Sequence, residues 1–266
     1  MVQLRKQAKM GARWLDCGRR LVKRNPWLLS GMALAAMAII ILLTLIPLLG
    51  RLLIALTIPL LAASALLTVH DLSRQKIALP TSLKFAALAR APKELVRVIT
   101  HEKHVMTVLM VSIYTLAVVL LINILAHLIS DGAWIGNLWT LDTVTLFSAL
   151  VTRLVALVLY LGLALSLVYA IPLIFLQDQA LVPALSQSFR AAGRHIVAVL
   201  VIMGVLLAPF ILGTLTSTVS RTATYLIWFV GGTLVLPVFV ASCYCSYRTV
   251  FPAEQVVTGR HPANWP

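Results

Sequence analysis

Long apolar runs separated by short polar segments dominate the hydrophobic pattern of this chain. The first run, WLLSGMALAAMAIIILLTLIPLL, follows the basic segment GRRLVKRNP at a corner formed by Arg24, Asn25 and Pro26. At about 1.5 Å per residue, such a run is long enough to cross a hydrocarbon layer of about 30 Å. The whole pattern predicts an all-α, polytopic membrane protein with six transmembrane helices, at about residues 27–49, 52–69, 105–129, 143–176, 195–215 and 224–247.

The spans are expected to form three hairpin-like pairs within a single transmembrane domain, each pair preceded by a cytoplasmic amphipathic helix. An internal repeat of three similar segments supports this prediction. The segments are GRRLVKRNPW (18–27), KFAALARAPK (84–93) and SFRAAGRHIV (188–197), in which Arg24, Arg90 and Arg194 align. Pro26 and Pro92 also align, whereas Ile196 breaks the pattern in the third segment. The alternative is that amphipathic helices before membrane spans resemble each other without common origin.

Residues 1–25 are predicted to form a basic amphipathic helix. Its apolar positions recur at helical spacing and leave the cations on the opposite side; they are Trp14, Leu15, Gly18, Leu21 and Val22. A helix of this kind lies in the membrane interface, with Trp and Leu in the acyl boundary and Lys and Arg among headgroups. The alternative is a solvated basic tail that serves only to orient the chain.

Composition supports a membrane protein and changes the meaning of the charge. The chain is 61% hydrophobic and 11% charged, with a mean hydropathy of +0.97, whereas soluble domains are about 45–50% apolar and about 25% charged. The net charge of +14 would suggest a nucleic-acid partner in a soluble protein. Here the cations fall between the apolar runs, so we expect them to orient the protein and we expect no nucleic-acid partner.

The distribution of Lys and Arg predicts which side of the membrane each connection occupies. With both termini in the cytoplasm, 19 of the 22 Lys and Arg residues fall in the inner segments 1–25, 70–103, 177–194 and 248–266. The connections on the other side carry only Arg51 and Arg221, with Arg153 just inside a span. The positive-inside rule therefore predicts cytoplasmic N- and C-termini, with residues 248–266 as a cytoplasmic tail.

The spans contain little that could carry out chemistry. They offer Asn123, His127, Tyr160 and Tyr169 but no central Asp, Glu or Lys, and ionisable residues usually mark functional sites within membranes. The segment His101–His104 is the one dense cluster of candidate metal ligands, and its spacing is not that of H-E-x-x-H. We therefore expect a non-enzymatic protein with no catalytic residue, no metal and no cofactor.

The three cysteines are too few for a disulfide framework. Cys243 and Cys245 lie near the end of the last apolar run, and we expect them to be small packing residues. The better candidate for a functional surface is a set of arginines on the predicted amphipathic helices, where planar guanidinium groups would meet phosphate oxygens or an acidic partner. These residues are Arg20, Arg24, Arg90, Arg190 and Arg194. The alternative is that they only determine topology.

Four stretches of the chain carry a resemblance to known sequences: GARWLDCGRRLVKRNPWLL, LIPLLGRLL, ALSQSFRAAGRHIVAVLVIMGVL and LVLPVFVASCYCSYRTVF. They resemble an uncharacterised proteobacterial family of inner-membrane proteins. The chain has Thr249 where that family leads one to expect Asp, so an acid that might pair with Arg248 is missing. The family is distantly reminiscent of the membrane domain attached to some glycerophosphodiester phosphodiesterases. The resemblance implies a multi-pass protein of the bacterial inner membrane, and it transfers no catalytic residue.

Two functions are compatible with these patterns. The first is a protein that organises the membrane through its basic cytoplasmic face, by binding anionic lipid headgroups or a protein partner in the membrane. The second is a transporter or permease-like component that moves an apolar or lipid-like substrate without ion coupling. The second is suggested by Pro59, Pro172 and Pro237, which fall in the second span of each predicted pair.

Overall fold

Helices make up nearly all of the described part of the chain, which in this computed structural model comprises residues 2–46, 49–74, 102–129, 143–216 and 220–252. Eight helices occur within these ranges: α1 (Val2–Arg24), α2 (Pro26–Thr44), α3 (Leu49–Arg74), α4 (Glu102–Ile129), α5 (Thr143–Gln177), α6 (Leu181–Arg194), α7 (Ile196–Thr216) and α8 (Arg221–Val250). Arg90 and the second predicted repeat segment lie outside the described residues, as do Trp134 and Trp139.

Six of these helices are long and apolar enough to cross a membrane, which confirms the prediction of an all-helical, multi-pass membrane protein. The qualifying stretches are Pro26–Thr44, Leu52–Arg74, Val105–Ala126, Leu154–Gln177, Ile196–Gly213 and Ala223–Val250. The first apolar run does not continue as one helix to residue 49. Helix α2 ends at Thr44, Leu45 forms its C-cap, and α3 begins at Leu49.

Local chemistry explains where the helices begin and end. Pro26 occupies the first position of α2, where its missing N–H costs nothing and its fixed φ suits a helix. Asn25, which precedes it, is held out of the helical region at φ −142° and therefore separates α1 from α2. Asp178 adopts a left-handed conformation at φ 54° between α5 and α6, which a short polar side chain tolerates.

The membrane-spanning helices form one connected bundle. Consecutive helices α2–α3, α4–α5 and α7–α8 contact each other, but α3 packs more extensively on α4 than on α2, and α8 also contacts α2 and α3. The hydroxyl groups of Thr68, Thr115 and Thr233 each donate to a carbonyl of their own helix. The hydroxyl of Ser112 in α4 instead donates to the Leu56 carbonyl of α3 at 2.9 Å. Three separate hairpins remain a prediction, because contacts between the pairs are as prominent as those within them.

Buried side chains concentrate toward the end of the bundle where α1 and α6 pack. The largest fully buried residues include Tyr169 and Leu173 of α5 together with Tyr244 and Tyr247 of α8. Many side chains along the spans are instead exposed and apolar, among them Leu34, Leu121, Leu157, Leu207 and Leu234. Exposed leucines are the expected surface of a protein whose spans face lipid.

Candidate functional site: a basic face around helix α1

One side of α1 is a seam packed against the rest of the protein. Gly11, Trp14, Gly18 and Leu21 are buried and recur at intervals of three and four residues, and Gln7 extends the same series. Such spacing places side chains along one line of an α-helix. The partners along this line are α7 and α8, and contacts of α1 with α2 and α3 are minor.

The first half of the seam meets the beginning of α7. Gly11 lies so close to this helix that a Cβ atom at position 11 would be 2.8 Å from the carbonyl oxygen of Ala198. Trp14 is 3% exposed, belongs to a buried cluster with Ala198 and Ile202, and meets His195 edge-on at a ring separation of 6.2 Å. This corrects the expectation that Trp14 lies in the acyl boundary of the bilayer.

The second half of the seam meets the last turns of α8. A Cβ atom at Gly18 would lie 2.7 Å from the backbone nitrogen of Ser242, so only glycine permits this approach. Leu21 is 6% exposed and packs in a cluster with Ala241, Tyr244 and residues of α2 and α3. Leu21, like Trp14, is therefore covered by protein, because α7 and α8 present apolar surface that competes with lipid for the same side chains.

The opposite side of α1 is exposed and cationic. All of its basic residues are exposed: Arg5, Lys6, Lys9, Arg13, Arg19, Arg20, Lys23 and Arg24. Asp16, the single acid in the helix, accepts a hydrogen bond from the Arg20 guanidinium and forms an ion pair with it, one helical turn away. Of the two α1 arginines that the sequence singles out, Arg20 is thus paired with an acid within its own helix.

Helix α6 contributes the two other described arginines. Arg190 and Arg194 are exposed, and the backbone carbonyl of Arg194 accepts a hydrogen bond of 3.0 Å from the Gln7 side chain. This bond places the end of α6 beside the first turns of α1. Gln7 and Arg24 are separated by about 25 Å along α1 at about 1.5 Å per residue. The predicted arginines are therefore spread along a surface and do not form one cluster.

We name this surface the basic face and define it as the exposed cations of α1 together with Arg190 and Arg194 of α6. The α6 part of it is anchored by Ser188, whose hydroxyl donates to the Leu165 carbonyl and accepts from the Tyr169 N–H, each at 3.0 Å. Ala184 and Ala192 lie on the same buried side of α6. On its exposed side the helix presents Val182 and Phe189, which are 75% and 52% exposed.

A polar cluster lies at the end of α3 beside the seam. The Tyr244 hydroxyl is 3.0 Å from His70 Nδ1 and 2.7 Å from Ser73 Oγ, and Ser73 also donates to the His70 carbonyl. His70 and Tyr244 are both buried. These hydrogen bonds hold α3 to α8.

The cysteines depart from expectation at one position. Cys17 of α1 is joined to Cys245 of α8 by a disulfide with a Cα–Cα distance of 6.3 Å, so Cys245 is not simply a packing residue. Cys243 is a buried free thiol, as a packing residue would be. The sequence carries no spacing signal for this pair, because 228 residues separate the two cysteines.

Within the described ranges, no group of three or more His, Cys, Asp or Glu side chains is placed to hold a metal ion. The side chains of the predicted cluster His101–His104 lie outside the described residues. What the basic face can do chemically is bind anions, through guanidinium and ammonium groups that are exposed along two neighbouring helices.

Comparisons of the chain with protein-family models, with curated proteins and with solved structures each find no match. The resemblance to a proteobacterial inner-membrane family therefore stays a prediction.

Proposed function

We propose that this protein is a non-enzymatic, multi-pass protein of the bacterial inner membrane that binds anionic phospholipid headgroups through its basic face. In this proposal both termini lie in the cytoplasm, and the basic face meets the inner leaflet around the bundle. The role is one of membrane organisation, with headgroup phosphates as the ligand.

The division of α1 into a packed seam and a cationic side is the observation that carries the proposal. Because Gly11 and Gly18 bring the helix into backbone contact with α7 and α8, its eight cations are held at fixed positions along the bundle. A loosely attached basic tail would lose conformational entropy on binding lipid. A docked helix has already lost that entropy when the protein folds.

The charge pattern supports the cytoplasmic placement. The segments that carry most of the cations precede or follow the spans on the same side, as the positive-inside rule requires. The cytoplasmic leaflet carries anionic lipids, and each nearby Lys or Arg gains about 1 kcal/mol from the surface potential. Arg20 gains less than the others, since Asp16 already compensates its charge.

Helix α6 supports lipid over a soluble partner as the ligand. Beside Arg190 it exposes Phe189 and Val182, and apolar side chains next to cations are typical of helices that lie at the membrane interface. A purely aqueous surface would leave these two side chains in water at a cost in free energy.

The test is lipid binding by purified protein in nanodiscs or detergent. The four predicted arginines of the basic face, Arg20, Arg24, Arg190 and Arg194, are replaced together by Gln, with Arg90 of the predicted second amphipathic segment included in the same variant. Retained phospholipid is identified by native mass spectrometry. We expect loss of bound anionic lipid with no change in zwitterionic lipid. The matched control replaces the same five residues by Lys, which keeps the positive charge and removes the planar guanidinium group that binds two phosphate oxygens at once. Equal amounts of bound anionic lipid on the Gln variant and the wild type would reject the proposal. An acidic protein bound in place of lipid would also reject it and would identify a protein as the ligand of the basic face.

A transporter for an apolar or lipid-like substrate is the second candidate. It is favoured by prolines inside four of the spans, Pro59, Pro172, Pro209 and Pro237, the first two of which are fully buried. A proline within a helix leaves a backbone carbonyl without its usual N–H partner, and broken helices line many transport pathways. Reconstituted protein that accelerates the movement of a fluorescent phospholipid across vesicles would support this function over the first.

A further inference from the structure

The disulfide between Cys17 and Cys245 joins the first helix of the chain to the last. It lies within the seam, with Gly18 and Leu21 on one side of Cys17 and Trp14 on the other. Cys245 is 5% exposed, whereas Cys17 is half-buried and is thus the more accessible of the pair.

The seam holds α1 in place by contacts that do not need the bond. Gly18 meets the backbone of Ser242, Leu21 packs with Tyr244, and Trp14 packs with Ala198 and Ile202. Opening the disulfide would therefore loosen α1 without removing its binding surface. An element whose attachment has a covalent and a non-covalent form is a two-state element that redox chemistry can bias.

The compartment that contains the two cysteines determines whether the disulfide is permanent or reversible. The cytoplasmic placement proposed above puts both cysteines in a compartment where thiol pools keep protein cysteines reduced, and disulfides that form there in most organisms are transient and redox-sensing. We propose that Cys17 and Cys245 form a thiol–disulfide switch that clamps the basic helix α1 to α8 under oxidising conditions and, on reduction, leaves α1 held more loosely by the seam alone. The proposal rests on that placement and not on lipid binding.

The exchange follows ordinary thiol–disulfide chemistry with a cellular dithiol as the reductant. A thiolate of the dithiol attacks the sulfur of Cys17, the bond between the two cysteines breaks, and Cys245 leaves as a thiolate that takes up a proton. The second thiol of the reductant then attacks the mixed disulfide and releases Cys17. The protein gains two electrons and two protons, and the dithiol becomes a disulfide. Oxidation by a dithiol's disulfide form runs in reverse. With diamide, one thiolate adds to the N=N bond, and the second thiolate attacks that sulfur and releases the reduced hydrazine, which carries the two electrons and two protons lost by the cysteines.

Cys243 provides the matched control. It lies on the same helix, two positions from Cys245, is buried beside Trp14, and is not bonded to another cysteine. A Cys243→Ser variant changes one sulfur in the same region and leaves the switch intact. Cys17→Ser and Cys245→Ser each remove it.

The experiment uses the full chain in inside-out membrane vesicles. Thiols are trapped with acid, the protein is denatured, and free thiols are counted by the gel shift from a polyethylene-glycol maleimide. We expect all three cysteines of the wild type to be modified in untreated membranes and one after treatment with diamide. Dithiothreitol added without denaturant should restore modification of all three. Cys243→Ser should keep the same dependence on diamide, and Cys17→Ser should lose it.

Hydrogen exchange supplies the second measurement. Amides of residues 2–24 should exchange severalfold faster in the reduced wild type than in the oxidised wild type, with no such difference in Cys17→Ser. Failure of diamide to protect two cysteines would overturn the proposal. So would a bond already complete in untreated membranes and resistant to dithiothreitol, since that is a permanent structural disulfide. Neither result depends on lipid, so the proposed function is tested separately.

Discussion

Gly18 of α1 lies directly against the backbone of Ser242 in α8, at a separation that leaves no room for a side chain on Gly18. The approach explains how a helix with an otherwise cationic surface is held to the bundle. It also accounts for glycine within α1, where the residue costs up to about 1 kcal/mol of helix stability relative to alanine.

Gly18→Ala should weaken the docking of α1. The new methyl group would lie 2.7 Å from the Ser242 nitrogen, a backbone atom that cannot rotate away, so the helices must separate. We expect a loss of about 1–3 kcal/mol, the range for overpacking. Thermal unfolding of the purified protein, with hydrogen exchange of residues 2–24, measures the effect.

The matched control is Gly193→Ala in α6, where an added Cβ has no neighbour within 4 Å. That change should be neutral or slightly stabilising, because alanine favours a helix. If Gly18→Ala and Gly193→Ala behaved alike, the close approach to Ser242 would not be what holds α1.

Ser188→Ala should destabilise the contact between α5 and α6. The Ser188 hydroxyl bridges the Leu165 carbonyl and the Tyr169 N–H, and both partners are buried. Loss of a buried hydrogen-bonding group typically costs about 1–3 kcal/mol. Denaturation in detergent measures the loss. Ser186→Ala is the control, since that exposed hydroxyl bonds only to the Pro183 carbonyl of its own helix; a loss of equal size there would contradict the prediction.

The helices follow from sequence more readily than their partners do. Runs such as 27–49 and 224–247 have too few polar residues to be anything but spans, and Pro26 marks the start of α2. The environment of Trp14 does not follow in this way, because an apolar side chain on an amphipathic helix is removed from water equally well by lipid or by α7. Composition does not distinguish these environments.

The seam has a sequence signal, but it is visible only when small and polar residues are counted together with the large apolar ones. Gln7, Gly11, Trp14, Gly18 and Leu21 follow a regular spacing of four and three, but two of them are glycines and one is polar. Small residues allow the backbones of two helices to approach closely. The pairing of Cys17 with Cys245 had no local signal, since it depends on how the first and last helices meet.

Asp16→Asn should strengthen the binding of anionic lipid. Asp16 is the ion-pair partner of Arg20, and both side chains are more than half exposed. An exposed pair of this kind contributes at most about 1 kcal/mol, so little stability is lost on removing it. The released guanidinium should raise affinity for anionic headgroups by up to about fivefold, the equivalent of about 1 kcal/mol.

Titration of nanodisc-embedded protein with a short-chain anionic phospholipid at low and high salt measures this change. The gain should shrink at high salt, because exposed charges are screened. The matched control is Asp16→Asn introduced together with Arg20→Gln and compared with Arg20→Gln alone, since it removes the same acid and releases no guanidinium. An equal gain in both comparisons would attribute the effect to net charge and not to Arg20.

The orientation of the bundle can be measured with two single cysteines in a chain whose native cysteines are replaced by serine. Gln3→Cys lies on the exposed side of α1, and Thr44→Cys is exposed at the opposite end of α2. Because Pro26–Thr44 is long enough to cross the membrane, we expect the two positions to lie on opposite sides. The charge distribution predicts that Gln3→Cys faces the cytoplasm.

A membrane-impermeant maleimide should therefore modify Gln3→Cys in inside-out vesicles and Thr44→Cys in right-side-out vesicles. The reverse pattern would place the basic face outside the cell, where anionic lipid of the inner leaflet cannot be its ligand.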